Sequence, residues 1–137
     1  MHLAHWSIAQ TKNRETKPEG LGWELFQNYL IALKKFKPDY FLYENNKSMS
    51  YAIREQISKE FGFEPVLINS ALLSAQNRQR LYWVGYRSED GTYKSLPIIQ
   101  PKDRGLVLSD ILEDSPIAYD ISDYVFISGE TTESGNI

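Results

Sequence analysis

The sequence contains no cysteine. Disulfide bridges, thiolate-bound zinc and a cysteine nucleophile are therefore excluded from these 137 residues. Histidine is almost as scarce, with only His2 and His5 at the very start. A pair placed there reads as a chain terminus, and no metal centre is expected. No apolar run approaches the roughly 20 residues that span a bilayer. The opening Met1-His2-Leu3-Ala4-His5-Trp6 is too short and polar for a signal peptide, so a cytoplasmic protein without a membrane partner is expected. Basic residues are missing from one end. All 15 Lys and Arg fall at or before Arg104, among 11 acidic residues, whereas the chain from Gly105 onward carries 7 acidic residues and no basic one. The first part can lie beside a phosphate backbone; the second would be repelled by one and reads as a solvated or displaced segment.

What is present suits one domain with a modest core: 42% hydrophobic and 24% charged residues. Leu21 to Lys37 has a broad apolar stripe at helical period, built on Leu25, Tyr29 and Leu33, with Lys34, Lys35 and Lys37 near its end and Pro38 as its stop. Tyr40-Phe41-Leu42-Tyr43 reads as a buried strand running into a polar loop, Glu44-Asn45-Asn46. Ser50 to Phe61 reads as a second helix, capped by Ser50 and ended by Gly62. Phe63 to Asn69 and Arg80 to Tyr86 read as strands, with a loop or helical turn between them. Asp90-Gly91 signals a turn, Leu96 to Gly105 a linker, and Leu106 to Glu113 a short helix with Ser109 as its cap. The order helix, strand, helix, strand, strand is that of the second half of a doubly wound sheet, since no strand with a glycine-rich turn opens the chain. Such a half sheet has lost the neighbour of its first strand. Dimerisation through that exposed edge is expected.

Two places can carry chemistry. Glu44 stands at the carboxyl end of a strand, where ligands gather in open α/β sheets. A carboxylate there can exchange a proton with a ring nitrogen of a bound base, although a glutamate that braces a loop would look the same. In Gln76-Asn77-Arg78-Gln79-Arg80 the two arginines are two apart and lead into a strand, so both point to one face. Guanidinium groups suit phosphates and base carbonyl oxygens. Two surface arginines paired with acids are the plainer alternative.

Taken together, Phe41-Leu42-Tyr43-Glu44-Asn45-Asn46 followed by Gln76-Asn77-Arg78-Gln79-Arg80-Leu81-Tyr82-Trp83 resembles the DNA (cytosine-5) methyltransferase family. In that family a strand ends in Glu-Asn-Val, and a later Gln-x-Arg-x-Arg opens an aromatic strand. Leu25-Phe26 resembles the family's Leu-Phe motif beside the cofactor. Trp6 to Gln10 resembles the segment after its Pro-Cys nucleophile loop, and Leu106 to Leu112 the approach to its target-recognition region. The resemblance runs from about Trp6 to Glu113 and places the nucleophile at about Leu3, where the sequence does not read Pro-Cys.

The resemblance implies a doubly wound, Rossmann-like fold that uses S-adenosylmethionine, of which this chain holds the second half and lacks the first cofactor-binding strands. Residues 1–104 would be a partial catalytic domain and 105–137 the start of the recognition region or an irregular tail. Glu44 would meet ring nitrogen-3 and the amino group of a flipped cytosine, Arg80 would hold the base's carbonyl oxygen, and Arg78 would support the active-site loop and a nearby phosphate. Leu25 would line the S-adenosylmethionine site, and Ser7 and Gln10 would lie on the loop that closes over DNA. The implied partners are double-stranded DNA and a complementary N-terminal methyltransferase chain, in a bacterial or phage setting of restriction-modification. The chain alone is expected neither to bind the cofactor nor to transfer methyl groups. The competing expectation is a non-catalytic DNA- or protein-binding module derived from the same fold.

Overall fold

The computed structural model describes Trp6 and residues 14–112. Helix α1 spans Leu21–Phe36. Its N-cap, Gly20, has a φ of 89° and offers no side chain. Glu15 takes over the capping: its carboxylate accepts the Gly22 amide at 3.0 Å and the Trp6 indole N–H at 2.8 Å. An anion suits the positive end of a helix. A Cβ on Gly22 would come within 2.6 Å of the buried Trp6 indole nitrogen, so that packing requires glycine. Lys37 ends the helix in the left-handed conformation, with its N–H on Leu33 O at 3.0 Å.

Strand β1 spans Tyr40–Asn46, so Glu44 lies inside the strand and not in a loop beyond it. Helix α2, Tyr51–Phe61, has the expected ends. The Ser50 hydroxyl accepts the Ile53 amide at 3.3 Å, and Gly62 takes a φ of 84°. Strand β2 is confined to Val66–Asn69, beginning after Pro65, which has no N–H to give a ladder. A 3-10 turn at Ser70–Leu72 follows. Strand β3 is Gln79–Arg87, and β4, Tyr93–Ser95, returns along its far end. The turn between them is held by Asp90, whose carboxyl is kept well below the usual carboxylate range by hydrogen bonds from Ser88 and then Thr92. The segment predicted as a helix over Leu106 to Glu113 is a 3-10 turn at Leu108–Ile111. Ser109 is not its cap; the Asp110 carboxylate instead accepts the Val107 amide at 2.8 Å.

The sheet runs β1-β3-β2, with β4 also on β3. Strand β3 is antiparallel to all its neighbours. Two strands that are both antiparallel to β3 run parallel to each other, and α2 is the crossover between them. The fold is therefore a mixed helix and strand arrangement with an antiparallel sheet. Phe26 of α1 and Phe61 of α2 meet edge-on at 5.5 Å, and both reach Tyr43 of β1, at 5.2 and 5.7 Å. Both helices thus cover the face of the sheet that carries Phe41, Tyr43, Leu81 and Trp83, all buried. The alternate residues Tyr40, Leu42, Glu44 and Arg80 take the other face. Among the described residues no helix is long and apolar enough to cross a membrane.

Tyr43 lies in the core and Tyr29 packs against it. Burial, with a smaller contribution from Tyr93, pushes the Tyr29 hydroxyl up to about 12, and burial raises Tyr43 further. Both groups hold their protons more tightly folded than in an unfolded chain, where tyrosine titrates near ~10. Their contribution to stability is complete below pH ~10 and is lost as pH rises through the folded values. The urea midpoint should hold steady from pH ~7 to ~9 and fall between pH ~10 and ~12. A midpoint unchanged at the alkaline end would contradict this burial.

Candidate active site

The open face of the sheet gathers the charges. Glu44 on β1 lies directly across from Tyr82, and Arg80 lies across from Asn46, one step along the same face. Arg80 is thus the diagonal neighbour of Glu44, within reach for a long side chain. Its Nε sits 3.3 Å from Glu44 Oε1. Arg78, just ahead of β3, brings Nη2 to 3.9 Å from the same oxygen. A second bond fixes Arg80, whose Nη1 donates to the Gln79 carbonyl at 2.9 Å. Lys47 Nζ donates to Gln79 Oε1 at 2.5 Å and so links the residue after β1 to the first residue of β3.

Both arginines make these contacts with Oε1. The Glu44 and Arg78 side chains are 41% and 49% exposed. Ion pairs open to solvent to that degree contribute only ~0–1 kcal/mol. This cluster therefore does little for the fold. What it provides is a half-exposed carboxylate with two planar donors beside it. The two sequence readings of the arginines meet here: they do pair with an acid, and that acid is Glu44.

The strand beneath is stiffened from the buried side. Asn45, 2% exposed, donates to the Tyr43 hydroxyl at 3.4 Å and accepts the Asn46 amide at 2.8 Å. In the sequence Asn45 stands out only as part of the Glu44-Asn45-Asn46 motif, with no role of its own. Its signal was parity, because a residue next to Glu44 in a strand must face the core. Gln79 likewise has no role of its own there and Lys47 none at all, and their pairing joins positions 32 apart in the chain. Leu25 is half-buried on α1, which covers the opposite face, and no contact brings it into this cluster. Ser7, Gln10 and Leu3 lie outside the described residues. Among the described residues no group of three or more His, Cys, Asp or Glu side chains could hold a metal ion.

The family model described as C-5 cytosine-specific DNA methylase matches residues 4–134. The chain belongs to that family. No curated protein matches it. The family implies enzymes that act on DNA and draw their methyl group from S-adenosylmethionine. The described residues do not amount to a site for that cofactor. Leu25 offers one half-buried apolar contact, which cannot alone recognise a sulfonium, a carboxylate and a ribose. The Glu44, Arg78 and Arg80 cluster lies on the open face of the sheet.

Proposed function

We propose that this chain is the base-binding part of a DNA cytosine-5 methyltransferase. The observation that carries the reading is the convergence of Arg78 and Arg80 on the Glu44 carboxylate, both at Oε1. In this reading Oε2 meets ring nitrogen-3 of a cytosine flipped out of the duplex, and a proton held there makes carbon-6 electrophilic. Arg80 orients the carboxylate and holds the base's carbonyl oxygen. Arg78 supports the loop beside it and meets a phosphate. Ser7 and Gln10 belong to the loop that closes over DNA, and Leu25 borders the S-adenosylmethionine that the complete enzyme binds and from which it takes the methyl group. A thiolate must add to carbon-6, and no side chain of these 137 residues can supply one. The thiol and the rest of the cofactor site must then come from outside this stretch, and the stretch alone is inactive.

The sheet supports the same reading. The Arg87 amide donates to Asp39 O at 2.8 Å, which fixes the phase of the β1–β3 ladder. By that phase the backbone groups of Tyr40, Leu42 and Glu44 turn to the edge away from β3. Among the described residues β1 pairs with no other strand, and the Leu42 carbonyl is taken by the Tyr29 hydroxyl at 3.0 Å. Tyr29, Phe36, Pro38, Tyr40 and Leu42 line an apolar groove beside that edge, and Phe36 is 73% exposed. A cofactor-binding half of a doubly wound sheet would add its strands there, and a complementary N-terminal chain is the partner proposed. Residues 1–104 then belong to the catalytic domain, and 105–137 begin the recognition region. A second copy of this chain seated on the edge would show as a dimer by light scattering.

Binding of duplex DNA by this chain, followed over a salt series, tests the placement of DNA on the arginines. Arg78→Ala should lower the slope of log affinity against log salt by about 1, as loss of one phosphate contact does. Arg78→Ala with Arg80→Ala should weaken binding further. Affinity and slope that survive the double change would remove DNA from this face. Binding that survives with no methyl transfer in any assembly would favour the non-catalytic module.

A further inference from the structure

We infer that Asn69 is a positioning residue that sets Arg78 in place beside Glu44. This rests on the reading of that cluster as the base- and phosphate-binding site. Arg78 is exposed, so packing does not fix its course. Its main chain is held instead. Asn69, the last residue of β2, accepts the Arg78 amide on Oδ1 at 3.0 Å. The same oxygen accepts the Ala71 amide at 3.1 Å, and Nδ2 donates to Asn77 Oδ1 at 2.9 Å. Ser70 completes the clamp: its amide donates to Arg78 O at 3.1 Å and its hydroxyl to Gln76 O at 2.7 Å.

Capping the 3-10 turn at Ser70–Leu72 needs only the bond to Ala71. The bonds to Arg78 and Asn77 go beyond a cap. They draw the far end of the 70–78 loop against the end of β2, one residue before β3 begins, so that the Arg78 guanidinium starts from a fixed point. A flexible side chain anchored at its own amide loses less freedom on meeting a phosphate than one on a free loop.

The test uses the whole chain and a duplex oligonucleotide. In Asn69→Ala the Arg78 amide should exchange with solvent about tenfold faster or more, and DNA affinity should fall about three- to tenfold, the scale of one or two lost hydrogen bonds. In an Arg78→Ala background the same change should have no further effect on affinity, because both act through one group. Asn69→Asp, which keeps the acceptor, should restore protection of the Arg78 amide. Losses that multiply in the double variant, or an Arg78 amide unaffected by Asn69→Ala, would overturn the inference. If the unaltered chain binds no DNA, the proposed DNA site fails, and the exchange of the Arg78 amide in the two variants still decides whether Asn69 positions it.

Discussion

Glu44→Gln should slow methyl transfer in any assembly built on this chain, lowering kcat by about 10²- to 10⁴-fold, the range associated with a lost general acid or base. Glutamine has the shape of glutamate and keeps a carbonyl oxygen, but it has no acidic proton to place on a ring nitrogen. It also loses its charge, and with it the steering of the carboxylate by Arg78 and Arg80. The fold should be untouched, because those pairs are open to solvent and contribute at most ~1 kcal/mol. Single-turnover transfer of a labelled methyl group to duplex DNA, with the urea midpoint recorded alongside, separates the two effects. A Glu44→Gln enzyme within tenfold of the unaltered one would mean that Oε2 does not meet the base.

Trp83→Ala should have the largest effect on stability, about 3–5 kcal/mol, as for other large aromatics removed from a core. Trp83 is wholly buried at the centre of β3, with its indole N–H on Ser58 Oγ at 3.2 Å. Its ring is one of the surfaces against which Tyr43 and Phe61 pack, at 5.8 and 6.3 Å. Its removal leaves a cavity and also strips the buried Ser58 of that donor. Against a total of ~5–15 kcal/mol for a domain, such a loss removes from about a fifth to all of the stability. Ile99→Ala, at a side chain 95% exposed, should move the urea midpoint by no more than ~0.5 kcal/mol equivalent. A Trp83→Ala chain as stable as the Ile99→Ala chain would show that the core does not close on β3.

Much of this was legible in the residues, for local reasons. Both helices announce themselves by period, and α2 by its ends as well, since Ser50 and Gly62 act over three or four residues. What failed was whatever depends on a distant partner. Tyr40 to Tyr43 looked buried on both faces, yet Tyr40 is 67% and Leu42 57% exposed; an aromatic on an open face reads the same as one in a core. Glu44 was placed after the strand because the strand continues only by pairing with Tyr82 and its neighbours in β3. The short β4, Tyr93–Ser95, exists through its pairing with Gly85 to Arg87 and has too few residues to show a period. No rule of chain order puts β3 between β1 and β2. In the site, the charged groups stood out because charge at a strand end is conspicuous. Asn45 and Asn69 did not, because an amide shows its use only when its partners are in place.

In the proposed enzyme these residues hold the base while the thiol and the rest of the cofactor site come from elsewhere. This division is tested most directly by methyl transfer from labelled S-adenosylmethionine to duplex DNA, with this chain alone and then with an added methyltransferase segment that carries the cofactor-binding strands and a Pro-Cys nucleophile. The chain alone should transfer nothing and the mixture should transfer the methyl group, a transfer lost again with Glu44→Gln. Transfer by the chain alone, or an associated mixture that stays inactive, would contradict it.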